Sequence, residues 1–222
     1  MTSDQLLVTR TLANMARQAV HIGRPREAVL LSQRGLDHAK RTVTPRVRAL
    51  LSIREAQGWA ALKQAGPATE AIRRAHDQFE RGPDDRDPEW ISFLNEAELA
   101  CLEGMCQSDL GRHSTAERLL KRSIALHTDG YRRNMGIGLI RLASNSLSLH
   151  DLDQAGEHAA RAATVATEIT STRVRQEITS LGRQLGSHKR VPAVADALER
   201  IADISVPQRK GKTLGSGALR RP

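Results

Sequence analysis

The chain has 222 residues, a mass of 24.4 kDa, 39% apolar and 27% charged residues. That composition fits one large globular domain. Aromatic side chains make up only 2% (Trp59, Trp90, Phe79, Phe93 and Tyr131), so the core must be filled with small and aliphatic groups. Closely spaced helices suit such a core better than a β-sandwich does. The net charge of +9 would suit a nucleic-acid binder, yet Arg209, Lys210, Lys212, Arg220 and Arg221 carry most of the surplus in a terminal stretch with no acid. The body is left with an ordinary surface.

Apolar residues recur at helical spacing, and no segment alternates like a strand. The pattern predicts helices at 4–22, 25–41, 45–65, 68–81, 88–110, 113–128, 130–149, 152–168, 172–186 and 192–203. Arg24-Pro25, Asp87-Pro88 and Val191-Pro192 mark three helix starts, because proline lacks a donor that the first turn does not use. Asp151 is the expected N-cap of the helix from Leu152. Trp90, Leu94, Ala97, Cys101, Gly104 and Met105 form one expected stripe, and Ala155, Ala159, Ala162, Ala163 and Ala166 another. Both are rich in small residues, which permits close helix approach.

A turn residue followed five positions later by alanine occurs four times: Gly23/Ala28, Gly66/Ala71, Gly111/Ala116 and His150/Ala155. Seven before each turn stand Ala16, Trp59, Gly104 and Ala143, and twelve after it Gly35, Gln78, Ser123 and Ala162. Three of four are small at each flank. An antiparallel helix pair explains this: the turn needs a residue tolerant of left-handed geometry, and the crossing point admits only small side chains.

This arrangement resembles the tetratricopeptide repeat over residues 8–168, with a wider spacing than the roughly 34 residues of that repeat. Trp59 and His150 depart from its pattern. The segments Asp87-Pro88-Glu89-Trp90, Asn95-Glu96-Ala97-Glu98-Leu99, Leu110-Gly111-Arg112, Arg173-Val174-Arg175 and Arg190-Val191-Pro192-Ala193-Val194 are similar to the C-terminal half of bacterial regulators that join a Cro/C1-type helix-turn-helix to such repeats. The resemblance implies an all-α, right-handed α-solenoid of about ten helices over residues 1–204, without the DNA-binding half. It implies a non-enzymatic regulatory module of a bacterial transcriptional regulator that binds a protein or peptide in a concave groove. By transfer of the repeat's groove positions, Asn14, Arg17, His21, Gln57, Asp109, Arg141 and Ser148 are the candidate partner-binding residues.

The sequence points to no catalytic group, metal or cofactor. Cys101 and Cys106 sit five apart on one helix and face different ways, so they read as packing residues. The eight histidines form no ligand cluster and read as surface or turn groups. Asp84, Asp85 and Asp87 lack the glycine of a calcium loop, and Gly211-Lys212-Thr213 lacks the first glycine and the strand of a phosphate loop. An alternative function, direct nucleic-acid binding, would use the tail or a degenerate helix-turn-helix at 15–34, where Ala19, Gly23 and Val29 have the spacing. The repeat turn explains that spacing equally well. Residues 205–222 are expected to be a disordered basic tail, with Arg209, Lys210, Lys212, Arg220 and Arg221 giving weak, non-specific phosphate contact. Leu6, Leu7, Val8 and Leu12 lie on a first helix with no preceding partner, which suggests either a lost N-terminal half or a homodimer through that helix. No apolar run reaches the ~20 residues of a membrane span. Two cysteines make no disulfide framework, and the N-terminus lacks a secretory pattern. The expected location is the cytoplasm.

Overall fold

The computed structural model describes residues 3–39, 43–126 and 131–205. Among them are ten α-helices and no strand: α1 (Ser3–His21), α2 (Pro25–Ala39), α3 (Pro45–Ala61), α4 (Ala65–Phe79), α5 (Glu96–Asp109), α6 (His113–Leu126), α7 (Arg132–Ser148), α8 (Leu152–Thr167), α9 (Thr172–Leu185) and α10 (Pro192–Ser205). The expected basic tail, Ser205 apart, lies outside the described residues. Consecutive helices form hairpins, α1 with α2 through α7 with α8, and the hairpins stack in chain order. The result is an α-solenoid. The last helix departs from the scheme, since α10 packs chiefly on α8 rather than on α9.

Each of the first four hairpins turns on one residue in left-handed geometry: Gly23 (φ 76°), Lys63 (φ 61°), Gly111 (φ 75°) and His150 (φ 59°). The hydrogen bonds repeat with them. The N–H of each turn residue donates to the carbonyl three before it, as Lys63 does to Ala60 at 2.9 Å. The next N–H reaches five back, as Gln64 does to Trp59 at 2.9 Å. Gly23/Arg24, Gly111/Arg112 and His150/Asp151 make the same pairs. This double bond is the Schellman closure, which satisfies carbonyls that a helix end would leave bare. The following residue then accepts the first bond of the next helix, as Gln64 accepts from Ala68. Two helices joined by so short a link must run antiparallel.

The second turn therefore belongs to Lys63, three residues before the expected Gly66, which lies inside α4. This register makes the repeat more regular. Five after the turn residues stand Ala28, Ala68, Ala116 and Ala155, all fully buried. Seven before stand Ala16, Ala56, Gly104 and Ala143, and twelve after stand Gly35, Ala75, Ser123 and Ala162. All are small, and Trp59 no longer occupies a crossing point. The crossings are tight: a Cβ on Gly104 would lie 2.9 Å from Leu120 Cγ.

The expected helix 88–110 is shorter. Pro88 precedes a 3-10 turn, Glu89–Ile91, and α5 begins only after Asn95, whose side chain accepts from the Glu98 N–H at 2.9 Å. The expected capping group Asp87 instead accepts from the Asp84 N–H and stands 4.0 Å from Arg46. Off the helix, Ile91 and Leu94 bury completely in the core shared by α3, α4 and α5. A second core joins α7 to α10. Between the two lies a small cluster of Cys101, Leu120 and Leu142. Cys101 belongs to this cluster and Cys106 to the first core, consistent with side chains that face different ways. Burial pushes the Cys101 thiol up to about 12, far from a reactive thiolate.

One histidine contradicts the surface expectation. His158 is buried in α8, neither ring nitrogen has a partner among the described residues, and burial lowers its pKa. On α1, Leu12 packs toward Ala16, Ala19, Ala28 and Leu31, whereas Leu7, Val8 and Met15, and Ile22 in the turn that follows, are exposed. Among the described residues no helix is long and apolar enough to cross a membrane.

Candidate ligand site on the inner face

The first helices of the hairpins, α1, α3, α5 and α7, line up with α9 along one side of the stack. His21 near the end of α1 lines the same cavity, of about 330 Å³, as Ile140, Arg141 and Ser144 of α7 and Glu177, Leu181 and Gln184 of α9. The first and ninth helices thus reach one space, and this side of the solenoid is concave. The cavity wall is mostly polar. Two apolar side chains interrupt a row of hydrogen-bonding groups.

Glu177 organises the wall. It accepts from Arg141 at 3.0 Å and from Arg173 at 2.8 Å, so one α9 carboxylate ties α7 to the start of its own helix. Burial works against its ionisation, but Arg141 and Arg173 outweigh that and hold it below the usual carboxylate range. Arg17 of α1 lies in the field of this pair. Its pKa is lowered by burial first, then by Arg173 and Arg133, against the pull of Glu98 and Glu177.

Arg54 of α3 lies beneath. Only 6% of it is exposed. One guanidinium nitrogen donates to Gln57 Oε1 at 2.7 Å, while its Nε has no partner among the described residues. Burial drives its pKa down to about 10, with Arg17 and Arg173 adding to the effect and Glu98 opposing it. Those neighbours sit on α1, α9 and α5, so Arg54 lies within the field of charged groups from three other helices. Glu98 accepts from Asn134 Nδ2 at 2.8 Å and makes no ion pair within 4 Å among the described residues. Burial raises its pKa despite Arg54, Arg173, Arg133 and Arg17.

Of the candidates read from the sequence, His21 and Arg141 line this cavity, and Arg17 lies in the field of Glu177 and Arg173. Gln57 is buried and serves as the acceptor for Arg54 rather than as a groove surface. Asp109 stands at the edge: its backbone carbonyl accepts from Lys63, and burial raises its carboxyl pKa against Arg141 and Lys63. Asn14 lines a separate hollow of about 160 Å³ with Arg10, Leu50, Trp90 and Phe93. There Arg10 stacks on Trp90, 5.8 Å from the ring centre. Ser148 donates to the Ser144 carbonyl of its own helix. Arg54, Glu98, Arg133, Asn134, Arg173 and Glu177 were missed. For Arg54 the signal was present, since it stands nine before Lys63 as Arg141 stands nine before His150. Placing the turn at Gly66 moved that position to Gln57.

Among the described residues no group of His, Cys, Asp or Glu is arranged to hold a metal. The alternative helix-turn-helix at 15–34 coincides with the α1–α2 hairpin, whose turn is built like the other three.

No family model and no curated protein matches this sequence. Solved structures do share its architecture. The chain is similar to Pseudomonas aeruginosa PilF at 13% identity and a TM-score of 0.55, over 92% of this chain and 80% of that one. It is similar to a putative kinesin light chain of Podospora anserina, described as having nearly identical TPR-like repeats, at 16% identity and a TM-score of 0.57, over 92% and 97% of the two chains. The likeness is one of fold, an α-solenoid of TPR-like repeats.

Proposed function

We propose that the chain is a non-enzymatic partner-binding module that takes a protein or peptide segment on its inner face. The single observation behind this reading is the convergence of His21, Arg141 and Glu177, from α1, α7 and α9, around one polar cavity, with Arg17 of α1 in the field of Glu177. A surface assembled from three separate helices on a rigid scaffold suits recognition of a shape, and Glu177, its carboxylate in the wall, is already taken up by Arg141 and Arg173. The surplus of arginine sets the partner's chemistry as acidic, because complementary charge steers encounter and rejects basic competitors. The resemblance in sequence to the repeat half of Cro/C1-type regulators supports a regulatory setting in a bacterial cytoplasm, where a bound segment would bias the solenoid's curvature. The exposed Leu7, Val8 and Met15 on α1, with Ile22 just after it, support self-association through that helix.

A labelled glutamate-rich peptide and a lysine-rich one of equal length test the reading by fluorescence anisotropy. The acidic peptide binds and salt weakens it. Arg141→Ala weakens it, whereas Gln154→Ala, on the exposed part of α8, does not. Equal binding of both peptides, or equal effects of both substitutions, overturns the reading.

A further inference from the structure

The inner face holds more positive charge than its own carboxylates answer. Arg141 and Arg173 share Glu177. Arg17 and Arg133 make no ion pair or hydrogen bond among the described residues, and Arg54 has only the neutral Gln57 and an idle Nε. Glu98 is engaged by Asn134, and Asp109 lies at the edge of the face with Arg141 and Lys63. Five arginines thus face two glutamates, three of the five make no ion pair among the described residues, and one of those three is Arg54, the most deeply buried. Arg54 feels Glu98 but makes no direct ion pair with it, and a buried cation without a bonded counter-ion is costly.

We propose that Arg17, Arg54 and Arg133, flanked by Arg173, form a site for a doubly charged oxyanion of the phosphate-monoester class. The three guanidinium groups without an ion pair come from three helices, α1, α3 and α7. One bidentate arginine satisfies a planar carboxylate, whereas a phosphate monoester offers three strong acceptor oxygens in a tetrahedral array and a charge near −2. Every free cation here is arginine, whose fork suits phosphate oxygens and whose charge survives burial better than that of lysine. The cavity beside Arg141 and Glu177, about 330 Å³, leaves room for the body that carries the phosphate. The inference rests on the partner-binding reading of the same face and names what that face recognises. The phosphate can belong to a free small molecule or to a phosphorylated side chain of a bound segment, with the same arginines in either case.

Calorimetric titration of the full chain tests the site, with inorganic phosphate, free O-phosphoserine and a phosphoserine peptide at fixed ionic strength in chloride. Saturable binding of phosphate is expected, stronger at pH 7.5 than at pH 5.5, because the second ionisation of inorganic phosphate and of a monoester falls between those values. Arg17→Gln and Arg133→Gln, both within reach of solvent, keep the fold and each weaken phosphate about tenfold or more, as loss of a charged hydrogen bond does. Arg54→Met removes binding if it folds, and the two surface variants decide the matter if it does not. Similar affinities for O-phosphoserine and the peptide make the source a small molecule, and a clear preference for the peptide makes it a protein segment. Both outcomes support the site. Absence of phosphate binding beyond that of chloride, or binding unchanged in Arg17→Gln and Arg133→Gln, overturns it. Phosphate binding without acidic-peptide binding overturns the partner reading alone, and peptide binding indifferent to Arg17 and Arg133 overturns the site alone.

Discussion

Gly156 of α8 lies against the backbone of Ala193 in α10: a Cβ on Gly156 would stand 2.4 Å from the Ala193 carbonyl carbon. This approach explains why α10 leaves its hairpin partner and packs on α8. A helix can come so near only where the facing residue has no side chain. The neighbouring atoms are main chain, which cannot swing aside.

Gly156→Ala is therefore expected to destabilise the protein. Overpacking costs about 1–3 kcal/mol, and the gain in helix propensity from Gly to Ala recovers about 1 kcal/mol at most. Gly66→Ala is the control. It has nothing within 4 Å of the added carbon and lies in the first turns of α4, so it should leave stability unchanged or raise it. Urea melts of both variants check this, and equal effects would show that α10 does not rest on Gly156.

The left-handed turns give a second expectation. His150 takes φ 59° without being glycine, and its exposed side chain has no hydrogen bond among the described residues. A non-glycine residue in this conformation is strained by roughly 1–2 kcal/mol. His150→Gly should relieve part of that, offset by the greater freedom of glycine in the unfolded chain. The expected net gain is about 0.5–1 kcal/mol in a urea melt. A loss of stability would mean that the imidazole makes a contact worth more than the strain.

The same turns show how much of the fold the sequence disclosed. Helix number, hairpin order and three of four turns were legible, because glycine, alanine and helical periodicity each report local geometry. The second turn was misplaced because Gly66 attracts a rule that expects glycine in left-handed geometry, while the chain uses Lys63. That slip hid Arg54, since groove positions are counted from the turn. The start of α5 was missed for another reason. Asp87-Pro88 has the local chemistry of a helix start, but Ile91 and Leu94 gain more by burying off the helix axis in the first core, and tertiary packing overrides local preference. Glu177 and Arg173 belong to α9, where the repeat is too degenerate to transfer positions. Their meeting with Arg141 depends on the curvature of the whole stack.

A third expectation concerns pH. His76 Nε2 lies 2.8 Å from Glu103 Oε2. The hydrogen bond to Glu103 raises the His76 pKa, with burial opposing. Burial also opposes ionisation of Glu103, but the bond to His76 prevails and lowers its pKa. The stabilisation from His76 is full below its ordinary value near 6.5 and is lost as pH rises through the higher folded value. His76→Gln should therefore cost stability at pH 5.5 and almost nothing at pH 9. The difference should stay below about 1 kcal/mol, since a pair this exposed is screened by solvent. A pH-independent cost in paired urea melts would assign His76 a packing role instead.

Glu177 gives the opposite pH sense. It is held below the usual carboxylate range, so its contribution is full above the ordinary value near 4.3 and is lost as pH falls through the lower folded one. Glu177→Gln keeps the shape but strands Arg141 and Arg173, and removing one member of a buried pair costs about 3–5 kcal/mol. The arginine side chains are each 35% exposed and can still reach water, so the expected loss at pH 7 is smaller, about 2–3 kcal/mol. The gap between wild type and variant should narrow below about pH 4, because the wild-type carboxyl then becomes protonated as well. A double-mutant cycle with Arg141→Met separates the bridge from lost packing. Coupling of about 1 kcal/mol or more at pH 7 that fades in acid is the expected signature. A gap that stays constant from pH 7 to pH 3 would mean that Glu177 acts as a hydrogen-bond acceptor whose charge is unimportant, and the ionic account of the cavity wall would fail.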